Sequence, residues 1–404
     1  MIPFLTLLRL GGVDKSFILK KIPTAVRFFY YLLGLLVSGE IGGASAVEAS
    51  AQEIIRVLIL RDVSHFIVTG QELALQGLPA GQSLFKNKKV SSLTVERDAG
   101  PHLRVRGYSI SAKALALTSG RNSLSINNRH YRGKIRVFPG PNRDLWVINE
   151  LPLEEYLVGL INCEISSQWS LDAVKAQAVA ARTFAVFQKG SRSDWLYDME
   201  SGVNDQVYAG MGLEDDRARQ AVKETEGEYL LYKGNPIFAV YHSCCGGKIE
   251  SPEYLWAGSF PYLNSVVCTH CLDSPHFLWN YQVEAHRLAR VLGGMGYPGQ
   301  RVSEIRVGER SASGRVLRLF IKGEKDPWEI PGKEFRRLLG YDQLRSTNFW
   351  LKERDGVFLF SGLGWGHGVG LCQWGAKGMA DAGFDYRSIL KYYYQNVEIG
   401  RFVR

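Results

Sequence analysis

The chain has 404 residues, of which 46% are hydrophobic and 22% charged. That composition belongs to a folded globular protein of two or three domains, or of one large domain with an appendage. It excludes a wholly disordered chain, a collagen-like fibre and a polytopic membrane protein. Lys and Arg outnumber Asp and Glu by 49 to 40, a net charge of +9, which permits an acidic polymer partner but is equally usual in exported proteins; no nucleic-acid partner is read from it.

The N-terminus reads as an export signal. Arg9, Lys15, Lys20, Lys21 and Arg27 precede Phe28–Val37, an uncharged apolar run that is too short to span a bilayer comfortably and suits the core of a signal peptide. Ala44-Ser45-Ala46 fits a small-x-small cleavage site. Residues 1–46 are therefore expected to be a signal peptide, the alternative being an uncleaved anchor. The rest of the chain is expected outside the cytoplasm, in the periplasm or cell envelope, meeting the membrane only through this segment.

Residues 47–145 read as a β-rich domain. Short strands are expected at 54–60 and 66–69. The stretches 103–108 and 134–138 alternate apolar and polar residues with the period of half-buried strands. Asn127-Asn128, Pro79–Gln82 and Pro139–Asn142 supply turn chemistry. Nothing here looks catalytic.

From Leu145 the character changes, and residues 146–404 read as a mixed catalytic domain, giving an α+β protein. A strand at 145–148 leads to a short helix within 149–160. Ser170 suits an N-cap and Asp172 the first turn of a helix from Leu171 to about Lys189. Val174, Ala178, Ala181 and Ala185 share one stripe of that helix. Lys175 and Arg182, seven apart, share another. A cationic stripe beside the loop acid Glu164 makes a candidate site; a solvated face beside an ordinary loop acid has the same spacing.

Six cysteines follow, at 163, 244, 245, 268, 271 and 372. Cys268-Thr-His-Cys271 is a C-x-x-C knuckle, with Cys244-Cys245 upstream beside His242. Cys245, Cys268 and Cys271 suit a structural zinc, and a disulfide joining the two pairs fits equally. In Gly362–Gly370 every second residue is glycine. An extended strand would put the five glycines on one side and Leu363, Trp365, His367 and Val369 on the other, a bare face for a flat ligand or another backbone. A last helix is expected at 385–394.

Several of these motifs, in order, resemble the stage II sporulation protein D / LytB family, to which amidase enhancers belong. They are Glu150–Gly159, the Glu164 segment, Lys175–Ala185, Asp205-Gln-Val-Tyr208, Gly227, Tyr241-His-Ser with Cys245-Gly-Gly247, Gly364–Gly370 and Gln373–Gly378. The resemblance spans about residues 55–400. It implies a cell-wall protein. Some members are lytic transglycosylases of peptide-stripped glycan strands, and others enhance an N-acetylmuramoyl-L-alanine amidase. It maps the catalytic acid onto Glu164 and implies substrate contacts from Lys175, Arg182, Trp365, His367 and Gln373. Members with zinc carry Cys and His ahead of the Gln-Val-Tyr motif. Residues 197–205 have neither, so no cofactor is expected for catalysis and any zinc would fall to the 244–271 cysteines.

Such a transglycosylase needs one carboxyl group. Glutamic acid protonates the leaving oxygen, and its carboxylate then takes the proton of the sugar's own C6 hydroxyl as a 1,6-anhydro ring closes. Its pKa must therefore be raised. Ile161, Ile165 and Trp169 could do this by burial, while a nearby Arg182 would oppose it. Two other classes fit the sequence: a non-catalytic glycan-binding activator, and a cysteine hydrolase pairing Cys372 with His367 or using Cys163 beside Glu164. Strand alternation would put Cys372 and His367 on opposite faces, against the hydrolase.

Overall fold

Alternating apolar residues in the N-terminal part close into two sheets in the computed structural model, which describes residues 52–79, 83–86, 91–98, 102–294, 296, 301–323 and 327–402. The expected signal segment and residues 80–82 lie outside the described residues. One sheet has seven strands, in the order Met199–Glu200, Ile54–Val63, Leu145–Pro152, Lys134–Pro139, Ala114–Thr118, Ala74–Leu78 and Ser83–Lys86. The other has six: Arg129–Arg132, Ser123–Ile126, His65–Gly70, Ser92–Arg97, Leu103–Val105 and Tyr108–Ile110. Alternate residues such as Ile55, Val57, Phe66, Val68, Ile135 and Val137 are fully buried. Asn127 and Asn128 take φ of 47° and 67°, the tight hairpin turn their side chains tolerate. The strand expected over 103–108 is instead a hairpin, because Arg106 and Gly107 sit at φ of 51° and 82°. Arginine is no turn signal, so the reversal was hidden.

Leu145–Pro152 joins the two halves. It pairs with Ile54–Val63 on one side and Lys134–Pro139 on the other, then runs directly into helix α1 (Leu153–Glu164). The change of character at 145 therefore falls at a central strand of the N-terminal sheet. Next come α2 (Leu171–Ser191) and α3 (Asp216–Glu224). The alanines of α2 from 176 to 185 are buried, and their small side chains let α1, α3 and the C-terminal helices pack close to it. Ser170 stands at the N-cap of α2 but makes no side-chain capping bond. Asp172 instead accepts from the Tyr386 N–H at 3.0 Å, tying α2 to the C-terminus.

A further module sits within the mixed region. Leu278–Glu284, Val357–Leu363 and Phe349–Arg354 form one three-stranded sheet, and Glu304–Arg310, Val316–Lys322 and Trp328–Pro331 another. With α4 (Ala285–Gly293) and α5 (Gly332–Leu339) they enclose a core that includes Leu288, Ile321, Phe335, Phe349, Phe358 and Phe360. The chain closes with α6 (Gln373–Asp381) and α7 (Tyr386–Tyr393), the latter capped by Asp385, which accepts from Ser388 N–H at 2.7 Å. The architecture is α+β. No helix among the described residues is long and apolar enough to cross a membrane.

Candidate active site

Glu164 is the last residue of α1 rather than a loop acid. The helix starts where the central strand ends, with Glu154 and Glu155 in its first turn, where the dipole favours acids. Burial of Tyr156, Leu157, Leu160 and Ile161 fixes its rotation, and extended Ile165 stops it. The following loop is pinned. Asn162 Oδ1 accepts from Ser167 N–H at 2.8 Å, and Asp215 accepts from the Ser167 hydroxyl at 2.5 Å and from Asn162 Nδ2 at 3.0 Å. Arg217 donates to the carbonyls of Ser167 and Trp169, both at 2.8 Å. The acid thus stands on a rigid element, as a reacting group requires.

Glu164 is half-buried, and burial raises its pKa from 4.5 to about 7. Three groups act against burial: the Val207 N–H, which donates to Oε1 at 2.8 Å, then the Gln373 amide and the Tyr241 hydroxyl. The Tyr241 hydroxyl is buried beside the carboxyl and makes no fully formed hydrogen bond. The Asp205–Tyr208 segment is held so that the Val207 N–H faces the acid. The Tyr156 hydroxyl donates to Gln206 Oε1 at 2.9 Å, Gln206 Nε2 donates to Ala181 O at 3.2 Å, and Arg192 grips Asp205 at 2.6 and 2.9 Å. Arg182 is not among the groups that shift Glu164.

Two of the expected substrate contacts are structural. The Arg182 guanidinium is completely buried, paired twice with Glu154 at 2.8 and 2.7 Å, and it donates to the carbonyls of Val222 and Glu228 around the end of α3. It cannot reach a substrate. Lys175 is bound to Glu224 at 2.5 Å and lies over the Tyr386 ring. Their shared stripe faces α3 and α7, so the spacing was right and the face was wrong. Gln177, two residues from Lys175 and so about 200° around the helix, points the other way. It accepts from Gln373 Nε2 at 3.3 Å, while its own Nε2 is buried without a partner. Gln177 and Tyr241 are the site residues the sequence reading missed. Gln177 lies within the Lys175–Ala185 motif, but nothing in its spacing marks it out.

The glycine segment is not an extended strand. Regular pairing ends at Leu363, and Gly364, Gly366, Gly368 and Gly370 take φ of 76°, 116°, 88° and 71°, a region that favours glycine. Close packing adds to the requirement: a Cβ on Gly368 would lie 2.3 Å from the Arg315 guanidinium carbon, and one on Gly370 2.1 Å from Val240 O. No flat glycine face results. His367 locks this turn. Its Nε2 bonds to Tyr241 O at 2.9 Å and its Nδ1 accepts from Val369 N–H at 3.1 Å, and burial lowers its pKa to about 4. It is therefore a neutral positioning group rather than a substrate contact. Tyr241 links the two regions, its carbonyl on His367 and its ring at Glu164.

Trp365 does face outward, within a row of half-exposed rings. Trp169 lies 5.1 Å from Trp374, Trp374 lies 6.1 Å from His276, and His276 lies 4.7 Å from Trp365. Arg345 lies over Trp365 and Lys377 over Trp374, at 4.8 and 5.8 Å. The row begins five residues after Glu164 and ends in the glycine segment.

Cys372, which α6 places at its N-cap, joins Cys245, Cys268 and Cys271 in a buried group whose sulfurs all lie within 4.8 Å of one another. Its thiol accepts from the N–H groups of Cys245 and Gly375, and His367 is engaged with backbone, so the two do not form a nucleophile–base pair. Cys163 Sγ lies 3.4 Å from Gly159 O, and burial raises its pKa, the reverse of an activated nucleophile.

These elements coincide with a known family. A model described as stage II sporulation protein matches residues 141–232, which hold Glu164 and the Asp205–Tyr208 segment. A stage II sporulation protein D of Bacillus amyloliquefaciens is 32% identical over 267 residues, 62% of this chain and 75% of that one. The chain belongs to the stage II sporulation protein D family. Beyond this family's matched core, residues 262–370 match a domain of unknown function (DUF8618), covering the inserted module and the glycine segment. An uncharacterized protein of Brachyspira hyodysenteriae is 34% identical over 69% of this chain and 74% of its own length. The amidase enhancer of Bacillus subtilis (strain 168) is 29% identical over 68% of this chain, but only 45% of its own length is covered. Family membership agrees with the motif order read from the sequence.

Proposed function

We propose that this protein is exported to the cell envelope and acts there on peptidoglycan glycan strands as a lytic transglycosylase, with Glu164 as its single acid and base. The observation that carries this reading is the Glu164 carboxyl with a pKa near neutrality. Near pH 7 about half the molecules hold the proton that a leaving glycosidic oxygen needs, and the ionised half-reaction product is basic enough to take one back. The groups that set its titration are a backbone N–H, an amide and a phenol, with no second carboxylate among them. A hydrolytic glycosidase would use two. In the reaction, Glu164 protonates the leaving oxygen as the C1–O bond breaks. Its carboxylate then removes the C6 hydroxyl proton as O6 bonds to C1, which restores the acid and consumes no water. No cofactor enters these steps.

The experiment is chromatography of products from peptide-stripped glycan, in which 1,6-anhydro ends are expected. The aromatic row would carry neighbouring sugars. Trp374→Ala is then expected to raise KM about tenfold, a loss of about 1.4 kcal/mol of uniform binding, with kcat little changed; an unchanged KM would remove the row from the glycan path. The similarity to an amidase enhancer favours a second reading, a non-catalytic glycan-binding activator. Release of no anhydro product together with stimulation of an amidase would establish it.

A further inference from the structure

The four clustered cysteines come from three separated parts of the chain: Cys245 after the strand Tyr241–His242, Cys268 and Cys271 from one tight knuckle, and Cys372 at the head of α6. All four are buried to within 1% of full burial. A tetrahedral thiolate site with metal–sulfur bonds of about 2.3 Å places its sulfurs about 3.8 Å apart. Here Cys245 Sγ and Cys271 Sγ are 3.5 Å apart, and no pair in the group exceeds 4.8 Å. Cys244, also buried, borders the group without being one of the four, its sulfur 4.0 Å from Cys271 O.

From this geometry we propose that Cys245, Cys268, Cys271 and Cys372 bind one zinc ion as a closed tetrathiolate. The surroundings suit deprotonated sulfur. Cys372 Sγ accepts from Cys245 N–H at 3.2 Å and from Gly375 N–H at 3.3 Å, at the positive end of α6. The Tyr393 hydroxyl lies 3.2 Å from Cys268 Sγ. Gly375 is needed for this approach, since a Cβ there would stand 2.7 Å from Cys268 Sγ and 2.0 Å from the Tyr393 oxygen. Four thiolates around a dication carry a net charge of −2, and a buried cation stands beside them. The Arg315 guanidinium, 2% exposed, donates to Cys245 O at 2.7 Å and Lys248 O at 3.1 Å, and Gly368 leaves room for it. Arg315 belongs to the module, so its bonds tie the module to the segment that carries Cys245. With four protein ligands and no open position, the ion would be structural. Its ligand Cys372 immediately precedes Gln373 and Trp374, so the site anchors the helix that brings those side chains to the Glu164 region.

The proposal does not depend on the catalytic reading, because every readout is metal or thiol chemistry. Full-length protein purified without chelator is expected to hold about one zinc per chain by elemental analysis. Cobalt(II) in its place should show the intense ligand-field and sulfur charge-transfer bands of a tetrahedral tetrathiolate. Cys372→Ser should move those bands to higher energy, whereas Cys244→Ser should leave them unchanged. Alkylation of native wild-type protein decides the matter if Cys372→Ser does not fold. Half-buried Cys163, whose pKa burial raises, should label slowly, and Cys245, Cys268, Cys271 and Cys372 only after chelation. Metal-free protein lighter by the four hydrogens that two disulfides remove would overturn the proposal. Labelling of Cys372 as fast as Cys163 before chelation would remove Cys372 from the ligand set.

Discussion

Glu164→Gln is expected to reduce release of 1,6-anhydro products by about 10²–10⁴-fold, the usual contribution of a general acid–base group, while glycan binding persists. Gln keeps the shape and can still accept from the Val207 N–H, which now bonds to Oε1, but it can neither give nor take the proton. Retention of more than about a tenth of the activity, outside that range, would exclude Glu164 as the acid. Wild-type activity should fall as pH rises through about 7, where the carboxyl ionises. A second consequence is independent of turnover. The folded pKa of about 7 exceeds the ordinary 4.5, so the folded state holds a proton that the unfolded chain releases between those values. Stability from this group is full below pH 4.5 and is lost as pH rises through 7. At 1.36 kcal/mol per unit, the wild type should lose about 2 to 3 kcal/mol relative to Glu164→Gln between pH 5 and pH 8. Urea titrations at both pH values measure this, and parallel behaviour of the two proteins would show that the carboxyl does not titrate there.

Arg182→Ala is expected to destabilise the fold by about 3–5 kcal/mol, the range for breaking a buried ion pair from one side. It would leave Glu154 without its two charge-assisted bonds, and would remove the Arg182 bond to Glu228 O and one of the two side-chain donors to Val222 O. Denaturant unfolding should show the loss, with glycan affinity per folded molecule unchanged. Weaker binding at unaltered stability would return Arg182 to the substrate site. Lys175→Ala should be mild by contrast, because its pair with Glu224 is solvent-exposed on the acid's side.

Elements with a local cause were legible in the chain alone. The period-two strand over 134–138, the Asn127-Asn128 turn, α2 with its alanine stripe and the last helix all follow from local chemistry. So did the identity of Glu164, through motif order. Tertiary structure decided which face of each element does what. Lys175 and Arg182 share a stripe in any α-helix, but only the docking of α3 and α7 turns that stripe inward and leaves Gln177 toward the acid. Alternating glycines suit a flat strand or a left-handed turn equally well, and the close approach of Val240 and Arg315 selects the turn. Cys372 joins Cys245, which is 127 residues away in sequence, through chain reversals that no local spacing records. Nor does residue type set the proton affinity of Glu164. Burial raises it, and the Val207, Gln373 and Tyr241 groups that oppose burial come from distant segments that only the fold brings together.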